Sequence, residues 1–579
     1  MNNYLKTSNQ SFKKKMIGEV VIMVISQRVF LLNLCIMIMG FCQEWVVRYN
    51  GPGNLGDVAS AIAVDDSGYI YVTGQSTGSG TASDFATLKY DQSGNEIWVA
   101  RYDNGNFDSA CAITVDDKGN VYITGTSCKS GTYNNYDWAT IKYSRNGVEQ
   151  WVARYNGPKD SLDQPSAIGI DNRGNVYVTG YCDKYFQSSS GDYLTIKYDS
   201  LGVEQWQARY DGTALEGDRA QALCLDSIGD VYITGLSTEL NTYTDITTIK
   251  YDTNGNIRWI AIYAGPYTDY GGKAIAVDNL SNVYITGTTF NSGTRDDYIT
   301  IKYESSGVQQ WVRYFGILEA APDEASALAV DNFGNVYVTG QGTNYYSYDY
   351  ATVKYDSLGN EQWIAWYDGG ANETDGATAI AIDESSNVYV TGYSYSSTGD
   401  DYVTVRYNSA GIEQWSARYN GPGNSTDRAN AVALDKAGNV YVTGMSFGTG
   451  TDYDYATLKY SSTGPGIKEN LPSRWIDLTF KVSPNPFSRQ TAISFTVMSL
   501  CGSTDNGKIV HLQDCKTSLR IYDATGRLVR QWDYGTTRLS DCILWDGTDD
   551  AGYKLPSGVY FIHLRHLDNT RLEKAVILR

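Results

Sequence analysis

The chain has 579 residues, more than one ordinary core supports unless it repeats, because single cores stop growing near ~250–300 residues. With 58 glycines, 48 tyrosines and only 19% charged residues, the composition fits a turn-rich, aromatic-rich β protein and excludes a coiled coil, a helical bundle or a disordered tail. The net charge of −19 argues against nucleic acid as a partner. The only histidines, His511, His563 and His566, leave the first 510 residues without a histidine-based triad or zinc site.

Residues 1–42 are expected to form a signal peptide. Lys13, Lys14 and Lys15 precede apolar stretches at 20–25 and 29–41, the second of 13 residues, which is short for a bilayer span. Gly40 and Cys42 place small residues before a cut at Gln43. A retained anchor starting at Met16 would bury Glu19 and Arg28, which is costly.

From there the chain repeats. Tryptophan recurs at 45, 98, 151, 206, 259, 311, 363 and 415, at intervals of 52 to 55 residues. Each copy holds four alternating segments, typified by A-I-A-V-D, V-Y-V-T-G, T-I-K-Y-D and W-x-x-x-Y. Period-two alternation rich in Val, Ile, Tyr and Thr predicts β-strand, and four short strands per copy predict one propeller blade. Residues 43–464 are therefore expected to form an eight-bladed β-propeller, with strands a to d running outward from the axis. The last copy ends after T-L-K-Y at 457–460 without a tryptophan strand, whereas an unpartnered one stands at 44–49. The first strand is predicted to complete the last blade, which removes the open sheet edge.

The a–b connections, such as Asp65 to Gly68 and Asp331 to Gly334, carry hairpin-turn chemistry. Two copies lack the glycine, and there Asn282 and Asn387 are expected to take the left-handed position. A second phrase sets Asp five residues before a base in every copy, from Asp84/Lys89 to Asp454/Lys459. These pairs, the strand-b tyrosines and the tryptophans are expected to serve the lattice within or between blades. Neither these nor any other residues are predicted to be catalytic or to bind metal, and no cofactor is expected.

The b–c and d–a connections share one face and vary in length and content, and variable loops on a rigid scaffold are where recognition sits. Their aromatics lie among Ser, Thr, Gly, Asn and Asp. The candidate ligand-binding residues are Tyr136, Tyr185, Phe186, Tyr243, Phe290, Tyr346, Tyr348, Tyr395 and Phe447. Rings among small polar residues suit an extracellular glycan, peptide or protein. Residues 43–467 carry 26 basic and 52 acidic residues, net −26, which disfavours anionic lipid as well as nucleic acid. A linker is expected at 465–476, marked by Pro465, Gly466 and Pro472, and a β-sandwich over 477–579. None of the nine cysteines has metal spacing. Cys501 and Cys515 either close a polar loop in an oxidising compartment or are small buried side chains.

The phrase A-I-A-V-D-x-x-G-N-V-Y-V-T-G resembles the SBBP β-propeller repeat of secreted bacterial proteins over about 44–460. That family brings no shared catalytic residues. The phrase Y-D-x-x-G-N-E-x-W at 90–98 is similar to the docking repeat of quinoprotein dehydrogenases, but their calcium and quinone ligands have no counterpart here. After 477, the phrases F-K-V-S-P-N-P-F, L-R-I-Y-D-A-T-G-R-L-V, W-D-G-T-D-D-A-G and L-P-S-G-V-Y-F-I-H-L resemble the FlgD-like immunoglobulin-type sandwich and the sorting domain of type IX secretion. That resemblance implies contact with secretion machinery, export across the outer membrane and surface attachment. The insertion at 499–516 departs from the pattern. Together these features predict a secreted or surface-displayed, non-enzymatic propeller. The alternative is an extracellular propeller enzyme, a polysaccharide hydrolase or lyase or a quinone-dependent oxidoreductase.

Overall fold

The computed structural model describes residues 44–578 except 81, 130–135, 159–161, 184–190, 215–216, 241–242, 266, 292–294, 317–321, 345–346, 371–372, 463–474, 484–487, 501–516, 525–526, 535–539 and 567–568. The predicted signal peptide and cut, Tyr185, Phe186, Tyr346, most of the linker and Cys501 and Cys515 lie outside the described residues. Two compact units, Met1–Ile467 and Lys468–Arg579, make up the chain. All regular structure among the described residues is β-strand.

In the first unit, eight antiparallel sheets of four strands follow one another. Sheet 1 runs Asp57–Val64, Ile70–Thr77, Ser83–Tyr90 and Glu96–Tyr102, in sequence order, and the next six repeat that order. Sheet 8 takes Asp427–Leu434, Val440–Phe447 and Tyr453–Tyr460 from its own copy, and its outermost strand is Trp45–Tyr49. That first strand pairs Trp45 with Lys459 through to Tyr49 with Tyr455. Innermost strands touch their neighbours all the way round, and Asp57–Val64 meets Asp427–Leu434, so the circle closes.

Adjacent sheets are joined by one recurring contact. The Trp98 indole N–H and the Lys89 ammonium of sheet 1 both donate to the Arg145 carbonyl, in the c–d turn of sheet 2, at 3.1 Å each. Trp151 and Lys142 share Ser200 in the same way, and Trp206 and Lys197 share Thr253. Gly147, at φ 77, sits under the Trp98 ring, where a Cβ would lie 2.6 Å from the indole. The seam between sheets 8 and 1 uses the same joint: Trp45 and Lys459 donate to the Gln92 carbonyl at 3.0 and 3.2 Å. Trp415 has no partner for its indole N–H among the described residues. Its neighbour is the last strand c, Tyr453–Tyr460, after which the sequence carries no further tryptophan strand of the repeat.

At the hairpin face, Asp65 accepts from the Ser67 and Tyr69 amides and from the Tyr71 hydroxyl, so the repeated aspartate closes the turn as expected. In the two copies without glycine, positive φ falls on Ser281 and Ser386 themselves, at 60° and 57°. Asn282 and Asn387, the expected left-handed residues, instead donate their side-chain amides to Asp278 and Asp383.

The Asp/base pairs are also not contacts with one another. Five residues along a strand span about 17 Å. The lysine sits at the hairpin end in the joint, while the aspartate sits at the loop-rich end. There Arg101 of strand d binds Asp84 at 2.6 Å, together with Ser76 and the Tyr49 hydroxyl of the preceding sheet. Arg48–Asp454, Arg154–Asp137, Arg209–Asp192 and Arg418–Asp401 repeat this strut. A second aspartate opens or immediately precedes each innermost strand, or in the case of Asp108 lies three residues inside it: Asp57, Asp108, Asp163, Asp218, Asp269, Asp323, Asp375 and Asp427, none more than 2% exposed. Asp57 accepts from the Gly51 amide at 2.6 Å and the Thr77 amide at 2.9 Å, which pins a d–a loop and a b–c loop to one carboxylate.

In the second unit, a sheet of Trp475–Ser483, Thr491–Leu500 and Ser540–Trp545 accompanies one ordered Leu528–Tyr534, Thr517–Asp523, Gly558–His566, Asn569–Ile577. Ile493, Trp545, Leu519, Ile521, Tyr560 and Ile562 form their shared core, as in a two-sheet sandwich. Its first strand begins at Trp475, inside the expected linker. His563 lies against Tyr522.

The joint and the buried carboxylates each make a measurable demand. Trp45→Ala should lower stability by about 3 kcal/mol, the same as Trp206→Ala, read as shifts in denaturation midpoint; equal stability of Trp45→Ala and the parent would contradict the closed ring. Burial pushes Asp108, Asp163, Asp218 and Asp269 up to about 6, against the bonds they accept. Unfolded aspartate titrates near ~3.9, so between these values the folded chain holds protons that the unfolded chain has released. Stability should therefore rise as pH falls from about 7.5 towards 5. Carboxylates held below the ordinary range, such as Asp91 and Asp171, reverse the trend only at about 4 and lower. A melting temperature that falls steadily from pH 7.5 to 5 would contradict this ring of protonatable anchors.

Candidate binding face

The loop-rich face is where strands a and c begin and strands b and d end. The lattice beneath it repeats almost without change, so its exceptions locate the chemistry. The strut arginine is present in sheets 1, 2, 3, 7 and 8. In sheets 4, 5 and 6 its position holds Ile262, Tyr314 and Trp366. Sheet 6 compensates within the lattice: Gly342 replaces the strand-b serine, and a Cβ there would lie 2.9 Å from the Trp366 ring. That indole also packs against Phe315 at 6.0 Å. In sheets 4 and 5 the replacements stay in solvent, Ile262 at 44% exposure and Tyr314 at 53%. The Tyr314 hydroxyl meets that of Tyr263.

A second set of exceptions lies one residue past the buried aspartates, at Val58, Ser109, Gln164, Arg219, Tyr270, Glu324, Gly376 and Arg428. Three of these positions form polar constellations between sheets. The Arg219 guanidinium stacks on Tyr181 at 4.8 Å, whose hydroxyl donates to Gln164. Arg428 stacks on Tyr393 at 4.4 Å and binds Asp400 at 2.6 Å. The Tyr393 ring lies so close over Gly376 that a Cβ there would sit 2.7 Å from it, which explains the glycine. Between them, Tyr270 hydrogen-bonds Asp296 and feels Glu324; partial burial and then these carboxylates raise its hydroxyl above the ordinary value.

Contacts draw sheets 4 to 6 together at this face. Thr244, beside Tyr243, donates to the Asp269 carbonyl at 2.6 Å, and the Asp323 amide donates to the Asp296 carbonyl at 2.6 Å. Tyr267 packs edge-on against Phe290 at 5.7 Å. Five tyrosines are exposed among the described residues of the ring: Tyr243, Tyr267, Tyr270, Tyr314 and Tyr395. Four of them belong to sheets 4 and 5. The arginine-free sector and the exposed rings thus coincide.

Of the residues expected from sequence, Tyr243 and Phe290 fall in this sector. Tyr395 is exposed on sheet 7, and its amide donates to Asp375. Tyr136 and Phe447 pack edge-to-face with Phe107 and Tyr453 at 6.0 and 5.4 Å, covering the tops of their own sheets. Tyr348 is half-buried opposite Thr343. Tyr267, Tyr270, Tyr314 and Glu324 were missed, although for the last three the alignment of copies carries a signal at positions 262/314/366 and one past each aspartate. Aspartate triads such as Asp84, Asp103 and Asp108 also recur at this face, as in Asp192, Asp211 and Asp218 and in Asp349, Asp368 and Asp375. Two members of each triad are the repeated buried anchors, and the third, Asp103, Asp211 or Asp368, is exposed.

Known proteins match the chain in parts. A curated relative, the uncharacterized WD repeat-containing protein L264 of Acanthamoeba polyphaga mimivirus, is 23% identical over 62% of this chain, which spans 31% of that protein. Among solved structures, PorZ, a surface component of the type-IX secretion system of Porphyromonas gingivalis, is 13% identical at a TM-score of 0.30, covering 91% of this chain and 74% of PorZ. Sqt1 from Chaetomium thermophilum is 12% identical at 0.40, covering 72% and 100%. Likenesses this distant carry no conclusion about ligand or activity. The family matches are closer in kind: beta-propeller repeats at 44–80, 150–183, 258–292, 310–346 and 414–450, and a FlgD Ig-like domain at 504–568. The chain thus carries SBBP beta-propeller repeats in five segments between 44 and 450 and a FlgD Ig-like domain at 504–568.

Proposed function

We propose that the protein is a secreted or surface-displayed binding module that holds an extracellular glycan, peptide or protein on the loop-rich face of its propeller, over sheets 4 to 6. The reading rests on one observation: the loss of the strut arginine, and four of the five exposed ring tyrosines, fall in the same sector. A solvent-facing aromatic patch with no structural task is a recognition surface by default. Export through the C-terminal unit is proposed on the FlgD Ig-like match and on the resemblance of its phrases to a type IX sorting domain.

The module is proposed to bind without catalysis. The face does carry carboxylates outside the repeat, namely Asp183, Asp296, Glu324 and Asp400. Asp400 is engaged by Arg428, and Asp296 accepts from Tyr270. This arrangement orients side chains more than it frees an acid and a base.

The full chain, used as bait in extracts of the cell envelope, should retain a partner that Tyr270→Ala releases at least tenfold more readily than Tyr395→Ala, with both variants melting like the parent. Equal retention by Tyr270→Ala and the parent would remove sheets 4 to 6 as the site. Appearance of new reducing ends or unsaturated products from any retained polysaccharide, abolished by Glu324→Gln, would replace the binding reading with an enzymatic one.

A further inference from the structure

We infer that the sector over sheets 4 to 6 takes an uncharged polysaccharide, a proposal that rests on the binding reading above and names its ligand class. Two features of the sector decide between classes. The first is its charge. Lys273 and Arg295 are exposed there, and Asp296 and Glu324 offset them, on a ring of net charge −26. An anionic chain would approach against that field, while an uncharged one meets no electrostatic barrier.

The second feature is the pairing of ring faces with acceptors. Tyr267, Tyr270 and Tyr314 are 39%, 42% and 53% exposed, large apolar surfaces that keep one polar end each. A pyranose offers the complement, an apolar C–H face to lie on a ring and hydroxyls around its edge. Glu324, exposed beside Tyr270, stands as an acceptor for those hydroxyls. Hydrogen bonds to a charged acceptor are among the stronger ones available to a neutral ligand. The replacement of three arginine struts also fits: a guanidinium at 262 or 314 would put a cation where the ring and aliphatic surface now lie.

The test uses the full chain on an array of immobilised polysaccharides, with uncharged members (β- and α-glucans, mannan, galactan, xylan) beside uronic-acid and sulfated ones. At least one uncharged polysaccharide should bind, unaffected by raising salt from about 0.05 to 0.5 M. Tyr270→Ala and Tyr314→Phe together separate ring from hydroxyl: the first should weaken binding at least tenfold and the second less than threefold. Glu324→Gln should weaken it severalfold, and Tyr395→Ala should leave it unchanged. Binding confined to charged polysaccharides, or lost in high salt, would overturn the ligand class while leaving the sector in place if Tyr270→Ala still abolishes it. Binding of uncharged chains that ignores Tyr270 would overturn both.

Discussion

One contact sets everything else in the ring: a c–d turn carbonyl that receives a tryptophan N–H from the sheet before it and, except at Ser305, a lysine ammonium as well. It needs a glycine at positive φ, because the indole occupies the place of a Cβ. It also needs the strand-d tryptophan, the strand-c lysine and the turn to come from adjacent copies, so a sheet satisfies its own groups only through a neighbour. A chain of such contacts has two unsatisfied ends. Joining them explains why the first strand, Trp45–Tyr49, belongs to the last sheet, and why Trp45 and Lys459 meet at Gln92 as five other pairs meet their own turns. Of the eight repeat tryptophans, Trp415 is the one whose indole N–H has no partner among the described residues, at the seam with the last sheet.

The other end of each sheet is ruled by carboxylates. Sixteen lattice aspartates, one leading each strand c and one leading each strand a, are buried below the loops. Burying charge is costly unless it is bonded, and here the bonds go to loop amides, serines and five arginines. The loops are therefore fixed at their roots and free to differ at their tips. Where the arginine is gone, the anchors to loop amides remain, so Ile262, Tyr314 and Trp366 alter the surface without releasing the scaffold. A surface built this way changes chemistry at three outer positions and one inner position per sheet, at little expense to the ring.

Much of this was legible in the sequence, for identifiable reasons. Strand order and closure follow from period-two alternation and from an orphan tryptophan strand at one end, both of which are features of neighbouring residues. The turn aspartates follow from local chemistry. Spacing misled where it spanned a strand: Asp84 and Lys89 look like partners and lie at opposite ends, one bound to Arg101 and the other to Arg145. The positive φ at Ser281 and Ser386 was placed one residue late, because the turn fixes the position of the fourth residue whatever its identity. The sector itself escaped because its members are unremarkable in their own copies; Tyr270 and Tyr314 stand out only against what the other seven copies hold at the same positions. Aromatic loop residues were the wrong filter, since Tyr136 and Phe447 use their rings to cover their own sheets.

The closed circle is tested most directly by hydrogen exchange across residues 44–50, followed by mass spectrometry on the full chain. Amides of Trp45–Tyr49 should exchange as slowly as those of Tyr453–Tyr460, to which they are paired, and should be released together with them as denaturant is added. Exchange of that segment at the rate of an unstructured peptide, while Tyr453–Tyr460 stays protected, would mean that the ring is open and that its loop-rich face is not organised as described.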